Sequence, residues 1–296
     1  MKFEKFLLKE GIAFKEKVPL ARYTTFKVGG PADYLVFPAR RQYLLKVLDF
    51  LEEEDIAYFP LGGGSNLLVR DGGVRGVVLS FAGLKKIELE DGVLVAEAGV
   101  SLARLLSFCL EKGLSGLEFL AGVPATVGGA VVMNAGAFGK EIKDFLEGLL
   151  LYQGGELKYF RREELLFFYR GLSLPRGSLV VAAVFRLFST SPKDVEAAIS
   201  KFLKIRREKQ PLSYPSAGSI FKNPSLAPAG FLIEAVGLKG MCRGGAEISQ
   251  KHANFIVNKG GACAQDILAL IEIAKERVFR EFGIALEEEI RIVGEG

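Results

Sequence analysis

The chain has 296 residues, 49% of them hydrophobic and 25% charged, which is typical of a folded protein with room for two or three domains. The net charge of +4 is small and the basic residues form no single cluster, so a nucleic-acid-binding face is not indicated. Three cysteines and one histidine disfavour a disulfide framework and a zinc site. Because no signal-peptide or membrane-spanning run is visible, we expect a cytoplasmic protein that binds no membrane and no metal.

Residues from about 23 to 80 alternate between strand and helix patterns. The β-type run Tyr34–Phe37 is closed by Pro38, and an apolar run ending at Phe59 predicts a short buried strand. The run Val74–Leu79 predicts another strand. A helix before Phe59 is predicted by apolar residues at helical spacing, namely Leu44, Val47, Leu48 and Leu51.

A glycine-rich loop follows the Phe59 strand and consists of Gly62, Gly63, Gly64, Ser65 and Asn66. Glycine lets the main chain approach a ligand closely, and successive N–H groups in one concavity form an anion nest. The two polar side chains add further donors. A phosphate-binding loop and a hairpin without a ligand are both compatible with this stretch. Neither Gly-x-Gly-x-x-Gly nor the lysine-bearing phosphate loop is present, so the usual nucleotide folds are not supported.

The next part of the chain begins with a strand, Leu94–Val100, and a helix that Ser101 caps and Gly113 ends. The apolar face of that helix is formed by Leu102, Leu105, Leu106 and Cys109. Cys109 is therefore interpreted as a core residue and not as a nucleophile. A second glycine-rich stretch, residues 120–139, is almost uncharged. It is typical either of a close-packed helix interface or of backbone lying against a flat apolar ligand, and taken singly the packing interpretation is favoured.

Three further elements are predicted toward the C-terminus. A strand covers residues 178–185. An amphipathic helix begins at Pro192, with Ser191 as its cap, and runs into the basic stretch 206–211. The last helix runs from about residue 265 to 282 and is ended by Gly283.

The order of the two glycine-rich stretches looks like the FAD-binding domain of the vanillyl-alcohol-oxidase type, in which the first loop holds the FAD pyrophosphate and the second lines the flavin. More narrowly, the chain resembles the family of UDP-N-acetylenolpyruvylglucosamine reductases (MurB) over nearly its whole length. The motifs that carry this resemblance are Tyr-Thr-Thr-Phe-x-x-Gly-Gly at 23–30, Gly-Gly-Gly-Ser-Asn at 62–66, Pro-x-Thr-Val-Gly-Gly-Ala with Asn-Ala-Gly-Ala within 124–137, Tyr-Arg-x-x-Ser at 169–173, Gly-Ser-Ile-Phe-Lys-Asn-Pro at 218–224 and His-Ala-Asn at 252–254.

The resemblance implies an α+β fold in three parts. Residues 1–80 and 81–190 are expected to form the two α+β subdomains of the FAD-binding domain, and residues 191–283 an α+β substrate-binding domain. The tail 284–296 is expected to return to the first subdomain. Two departures from the family pattern stand out: Ala125 replaces a common glycine, and the span from Arg170 to Ser219 has no room for the tyrosine-bearing insertion of one subtype. The chain therefore resembles the shorter subtype.

The resemblance also implies the reaction. NADPH delivers hydride to bound FAD, and UDP-N-acetylglucosamine enolpyruvate is then reduced to UDP-N-acetylmuramate for bacterial peptidoglycan. The implied catalytic residues are Arg170, Ser219 and Glu289. From the residues alone, the arginine is equally compatible with a surface cation stacked on an aromatic ring, the serine with a turn, and the three consecutive glutamates with a solvated edge. Alternation along a tail strand places Glu289 opposite Ile290.

The remaining implied site residues fall into two groups. The FAD contacts are Gly62, Gly63, Gly64, Ser65, Asn66, Gly122, Thr126, Val127, Gly129, Ala130, Asn134, Gly136 and Ala137. The substrate contacts are Tyr169, Lys209, Lys222, Asn223 and His252. Without the resemblance, Lys209 is a solvated helix end and His252 a structural residue near a strand.

Two rival functions remain open. An FAD oxidase of a sugar or lactone on the same fold commonly attaches its flavin through a histidine in the first loop, and residues 62–66 contain none. A non-catalytic nucleotide-binding protein is the other rival.

Overall fold

The computed structural model describes residues 2–296, which form two compact units. Unit 1 consists of the residues up to Lys15, Tyr34–Gly63 and Gly76–Ile205, and unit 2 of Glu16–Asp33, Gly64–Arg75 and Arg206–Gly296. The chain therefore passes from one unit to the other within the first glycine-rich loop, between Gly63 and Gly64. The three-part division expected from the sequence stays a prediction.

Residues 2–296 contain the following α-helices, of which only some carry a local capping signal at their ends. They are α1 (Lys2–Lys9), α2 (Arg41–Glu53), α3 (Leu102–Lys112), α4 (Val127–Val132), α5 (Pro192–Lys209), α6 (Ala229–Ala235) and α7 (Ala264–Phe282). Ser101 Oγ accepts a hydrogen bond from Arg104 N at the start of α3, and Gly113 ends that helix at φ 63°. Gly283 ends α7 at φ 67°. Among residues 2–296, we find no helix with the length and apolar character needed to cross a membrane.

The strands are mostly short. The first ten are β1 (Ala13–Pro19), β2 (Pro31–Phe37), β3 (Tyr58–Leu61), β4 (Leu67–Val69), β5 (Val74–Ser80), β6 (Ile87–Glu90), β7 (Val93–Glu97), β8 (Leu114–Ser115), β9 (Gly136–Ala137) and β10 (Lys140–Glu141). The others are β11 (Leu146–Gln153), β12 (Glu156–Arg161), β13 (Leu166–Phe168), β14 (Gly171–Ser173), β15 (Leu179–Arg186), β16 (Phe188–Ser189), β17 (Cys242–Arg243), β18 (Ala246–Ile248), β19 (Ile256–Asn258) and β20 (Arg291–Val293).

Unit 1 is built on an antiparallel five-stranded sheet of order β12-β11-β15-β7-β6. A second sheet has the order β1-β2-β5-β3, in which β3 and β5 run parallel. The apolar faces of α2, α3 and α4 belong to one hydrophobic core with these strands. Cys109 lies in that core at 1% exposure, and burial raises the pKa of its thiol to about 12, so its interpretation as a core residue is confirmed.

Unit 2 has a smaller core between α6, α7 and two sets of strands. One set is the antiparallel sheet β17-β18-β19. The other is the parallel pair β4 and β20, through which the C-terminal tail pairs with the residues that follow the glycine-rich loop. The mixture of helices with antiparallel and parallel strands confirms the predicted α+β class.

The tail differs from the regular strand that its alternation predicts. Glu289 N and Ile290 N both donate to Ile220 O, at 2.8 and 3.5 Å, whereas successive amides of a regular strand point to opposite sides. In the part of the tail before β20, Glu288 forms an isolated antiparallel bridge with Phe221 and is not part of a strand. Ile290 is nevertheless buried and Glu289 half-exposed, so the two side chains differ in burial as the alternation requires.

Candidate active site

In unit 1, the two glycine-rich stretches lie against each other. A Cβ atom on Gly62 would lie 2.6 Å from Thr126 Oγ1, and one on Gly63 would lie 3.0 Å from Pro124 O. A larger residue at position 62 would therefore clash with the side-chain hydroxyl of Thr126. The close packing against residues 124–126 explains why positions 62 and 63 are glycines, and it places the two backbones side by side.

The backbone amides of the first loop remain available to a ligand. None of the amides of residues 62–66 donates a hydrogen bond to a residue that the structure describes. Gly62 and Gly63 are exposed, which places their amides in contact with solvent. Amides in buried or half-buried residues are normally paired, so the unused donors of Gly64, Ser65 and Asn66 in unit 2 are typical of a site that receives an anion.

The second stretch forms the short helix α4 and a turn after it. Thr126 caps α4 by accepting a hydrogen bond from Gly129 N at 3.4 Å. Val127 and Ala130 are buried, and their amides donate to Val100 O and Thr126 O. These two side chains therefore belong to the core of unit 1.

Asn134 combines full burial with an unusual backbone conformation. It is fully buried, with a positive φ of 41° that few non-glycine residues adopt. Its Nδ2 donates to Phe168 O at 3.1 Å, whereas its Oδ1 is buried without a hydrogen-bond partner among the described residues. A buried acceptor that lacks a donor costs about 1–3 kcal/mol, which is typical of a group that a ligand satisfies.

Arg170 lies on the two-residue turn between β13 and β14, where Phe168 pairs with Gly171. Its φ is 59°, so the backbone is held in the left-handed region. A Cβ on Gly136 would lie 2.8 Å from Nη1 of Arg170. The guanidinium also lies 5.0 Å from the ring centroid of Tyr169, so the ring contact considered for this arginine is present together with the contact to the second glycine-rich stretch.

Glu141 is a neighbour of Arg170 that the sequence did not indicate. It pairs with Gly136 in the β9–β10 hairpin, and its Cγ lies 3.0 Å from the same hypothetical Cβ of Gly136. Burial opposes its ionisation, but hydrogen bonds with Lys143 and Asn134 and the charges of Lys143 and Arg170 lower the pKa of its carboxyl group. An anionic side chain therefore lies next to the guanidinium.

In unit 2, the tail runs antiparallel to the segment that carries Ser219. Glu289 N donates to Ile220 O at 2.8 Å, and Lys222 N donates to Glu287 O at 2.8 Å. The backbone of the half-buried Glu289 is thereby joined to Ile220, the residue that follows the half-buried Ser219. Asn66 from the glycine-rich loop joins them, because its Nδ2 donates to Glu289 O at 3.0 Å.

The loop residues of unit 2 are also held by the Tyr-Thr-Thr motif. A Cβ on Gly64 would lie 2.1 Å from Tyr23 O, so this buried position accepts only glycine. Thr25 N donates to Gly64 O at 3.0 Å. The motif at 23–30 is therefore a support for the first loop.

The substrate candidates of unit 2 occupy different environments. Lys222 pairs with Glu287 at 2.7 Å, and Asn223 Oδ1 accepts a hydrogen bond from Ala229 N at the start of α6. Lys209 is exposed at the end of α5. His252 is half-buried, and its Nδ1 accepts a hydrogen bond from Asn254 N at 3.2 Å. Burial lowers the pKa of His252, so the ring is neutral at pH 7 with its proton on Nε2.

Family comparisons decide what kind of protein this is. Residues 32–156 match the family model of an FAD binding domain, and residues 210–293 match that of the UDP-N-acetylenolpyruvoylglucosamine reductase C-terminal domain. A UDP-N-acetylenolpyruvoylglucosamine reductase from Syntrophus aciditrophicus is 49% identical over 94% of this chain and 91% of its own length. The chain belongs to this reductase family.

Other members of the reductase family match along nearly their whole length. The relative from Clostridium novyi is 45% identical over 99% of this chain and 96% of its own. The crystal structure of the enzyme from Thermus caldophilus covers 95% of this chain and 98% of its own, with 37% identity and a TM-score of 0.82. The predicted family and FAD-binding fold are thus confirmed. Glucooligosaccharide oxidase from Acremonium strictum shares the fold alone, at 14% identity over 97% of this chain and 61% of its own, with a TM-score of 0.51.

Proposed function

We propose that this member of the reductase family uses NADPH to reduce UDP-N-acetylglucosamine enolpyruvate to UDP-N-acetylmuramate, a precursor of bacterial peptidoglycan. The observation that carries the proposal is the pairing of Glu289 with the Ser219 segment, because it joins two of the three implied catalytic residues from distant parts of the chain. The names of relatives at 42–49% identity support the substrate. Since the reductant is NADPH, we propose a cytoplasmic location.

FAD fits the residues that are expected to hold it. The unused amides of residues 62–66 suit a pyrophosphate, and the unsatisfied Oδ1 of Asn134 suits a donor on the edge of the isoalloxazine. Bound FAD supplies a centre that takes hydride from NADPH and gives it to the substrate. Gly122, Thr126, Gly129, Gly136 and Ala137 would line the flavin through their backbone.

Arg170 would stabilise the negative charge that develops on the enolpyruvyl carboxylate when hydride adds to the terminal methylene carbon. Its backbone is fixed in a two-residue turn, and Gly136 and Tyr169 flank its guanidinium. A preorganised cation of this kind contributes about 3–4 kcal/mol in comparable oxyanion sites. Tyr169 is proposed as a neighbouring substrate contact.

Ser219 would give its proton to the carbon next to the carboxylate. A serine hydroxyl is a weak acid, so a neighbouring cation must assist it, and Lys222 or Lys209 is proposed for that role. Glu289 would complete the hydrogen bonds around the reacting carboxylate. Its backbone carbonyl accepts a hydrogen bond of 3.0 Å from Asn66 Nδ2, which would hold it in place. Asn223 and the neutral His252 would provide amide and imidazole N–H donors to the sugar nucleotide.

The proposal is tested by NADPH oxidation with the FAD-loaded enzyme, followed by absorbance with and without the enolpyruvyl sugar nucleotide. We expect sustained turnover only when the nucleotide is present, with UDP-N-acetylmuramate as product. Turnover that depends on oxygen and not on the nucleotide would favour an oxidase. A preparation that retains no flavin and oxidises no NADPH would favour the non-catalytic nucleotide-binding protein.

A further inference from the structure

Asn254 is buried at 3% exposure in unit 2 and binds one residue twice. Phe221 N donates to Asn254 Oδ1 at 2.9 Å, and Asn254 Nδ2 donates to Phe221 O at 2.8 Å. A side-chain amide offers the same donor and acceptor as a peptide group. Asn254 therefore pairs with Phe221 as the next strand of a sheet would.

The backbone of Asn254 extends this contact toward Ser219. Ile220 N donates to Asn254 O at 2.9 Å, so three hydrogen bonds from one residue hold the two positions that follow the serine. On the side before the serine, Gly218 has a φ of 79°, and no atom lies within 4 Å of where its Cβ would be. Asn254 therefore fixes the backbone that directly follows Ser219.

Ile220 and Phe221 also hydrogen-bond to the C-terminal tail. Ile220 O accepts the hydrogen bond from Glu289 N at 2.8 Å, and Phe221 bridges Glu288. A shift of residues 220–221 would thus displace Ser219 and Glu289 together. Asn254 holds the opposite side of this segment from the tail, because Phe221 N and O face Asn254 whereas Lys222 N faces Glu287.

We propose that Asn254 is a positioning residue for the reaction, which sets the location of the Ser219 hydroxyl and of Glu289 through the backbone of Ile220 and Phe221. The proposal rests on the proposed function of Ser219. Because Asn254 is buried, it acts through the backbone of these two residues and not as a substrate contact. The side-chain amide of Asn254, in the His-Ala-Asn motif, hydrogen-bonds to the serine-bearing segment as the edge of a neighbouring strand would.

Asn258 provides a matched control in the same unit. It is buried at 7% exposure, its Nδ2 donates to Phe26 O at 3.0 Å, and its Oδ1 accepts from Gly260 N at 2.9 Å. It resembles Asn254 in burial and in hydrogen bonding to backbone, but its partners are not residues 220–221. Asn254→Ala and Asn258→Ala therefore remove similar interactions with different consequences for Ser219.

The test compares the two half-reactions of FAD-loaded full-length variants by stopped-flow absorbance. In Asn254→Ala we expect flavin reduction by NADPH at the wild-type rate and reoxidation by the enolpyruvyl nucleotide slowed roughly 10- to 100-fold, because a small misplacement of a reacting group is sufficient for such a loss. In Asn258→Ala both rates should stay near wild type. Equal slowing of reoxidation in the two variants would overturn the proposal.

A second variant covers the case in which Asn254→Ala does not fold. Asn254→Asp keeps the shape and the acceptor but loses the donor to Phe221 O, so it should slow reoxidation and increase amide hydrogen exchange at Ile220, Phe221 and Glu289. Adding Asn254→Asp to Ser219→Ala should slow reoxidation by less than the product of the two single effects, because part of the effect of Asn254 acts through the serine and only the part through Glu289 remains. Wild-type reoxidation in Asn254→Asp with slow reoxidation in Ser219→Ala would overturn the positioning role alone. Wild-type reoxidation in Ser219→Ala would overturn the proposed function of the serine as well.

Discussion

The side-chain amide of Asn66 donates a hydrogen bond of 3.0 Å to the backbone carbonyl of Glu289. Arg291 N in turn donates to Asn66 O at 3.0 Å, just before the parallel pairing of β20 with β4 begins. The last residue of the glycine-rich loop therefore fixes the backbone of the proposed catalytic glutamate. Asn66, which its motif assigns to FAD binding, therefore also holds the tail of unit 2 in place.

Replacing Asn66 by alanine should loosen the tail. We expect Asn66→Ala to lower the free energy of unfolding by about 1 kcal/mol, which is the usual contribution of one such hydrogen bond. Amide exchange at Glu289 and Ile290 should increase at the same time. Urea unfolding and hydrogen exchange measure the two effects, and unchanged exchange in the tail would contradict the assignment.

The contact between Gly62 and Thr126 predicts a steric effect that a second substitution relieves. Gly62→Ala would place a Cβ 2.6 Å from Thr126 Oγ1, so we expect a loss of stability of about 1–3 kcal/mol and a lower FAD content. Thr126→Ala removes that oxygen and the cap of α4. The double variant should therefore be no less stable than Thr126→Ala alone, as measured by urea unfolding at saturating FAD. Additive losses would show that Thr126 is not the source of the clash.

The positive φ of Arg170 predicts that stability and activity change in opposite directions. Arg170→Gly relieves a left-handed backbone that costs other residues roughly 1–2 kcal/mol, which offsets the lost contacts of the side chain. We expect a variant that unfolds at the same or a higher urea concentration, whereas substrate-dependent turnover falls on the order of 10²–10³-fold. The exposed Arg176 serves as control, since Arg176→Gly should leave turnover unchanged. Wild-type turnover in Arg170→Gly would remove this residue from the catalytic set.

Ser219→Ala should separate the two half-reactions. Flavin reduction by NADPH needs no proton from the serine, so its rate should stay at the wild-type value. Reoxidation by the enolpyruvyl nucleotide should slow on the order of 10²–10⁴-fold, the usual range for loss of an acid catalyst. The exposed Ser225 offers a Ser→Ala control outside the site. Full speed in both half-reactions would show that another group gives the proton.

The single histidine allows a pH test of unit 2. Burial lowers the pKa of His252 below its ordinary value of 6.5, and the charge of Lys239 acts in the same direction. The unfolded chain therefore binds a proton at a higher pH than the folded chain does. Stability should be highest above pH 6.5 and should fall as the pH decreases from 6.5 to the folded pKa.

This part of the pH profile can be measured by urea unfolding at a series of pH values. Because the chain has only one histidine, its proton NMR signal reports the folded pKa directly. His252→Gln should remove the change in stability between the two pKa values. A folded pKa above 6.5 would show that the ring is solvated or next to an anion.

Much of the secondary structure was determined by local sequence. The helix α3 was predicted with both of its ends, because the Ser101 cap, the Gly113 terminus and the apolar spacing between them depend only on neighbouring residues. The end of α7 at Gly283 followed for the same reason. The motifs likewise identified the family, since their residue types and order can be read without knowing their contacts.

Tertiary structure decided which of these residues meet. Asn254 and Glu141 were not identified from the sequence. The role of Asn254 depends on its hydrogen bonds to Phe221, and that of Glu141 on its position beside Gly136 and Arg170, so neither can be read from neighbouring residues. The only signal for Asn254 in the sequence was its place in the His-Ala-Asn motif. The backbone of the tail also departs from a regular strand, because two successive amides donate to Ile220 O, although the burial of Glu289 and Ile290 alternates as expected. Such contacts depend on pairing between segments far apart in the chain, whereas propensities and caps describe only the nearest few residues.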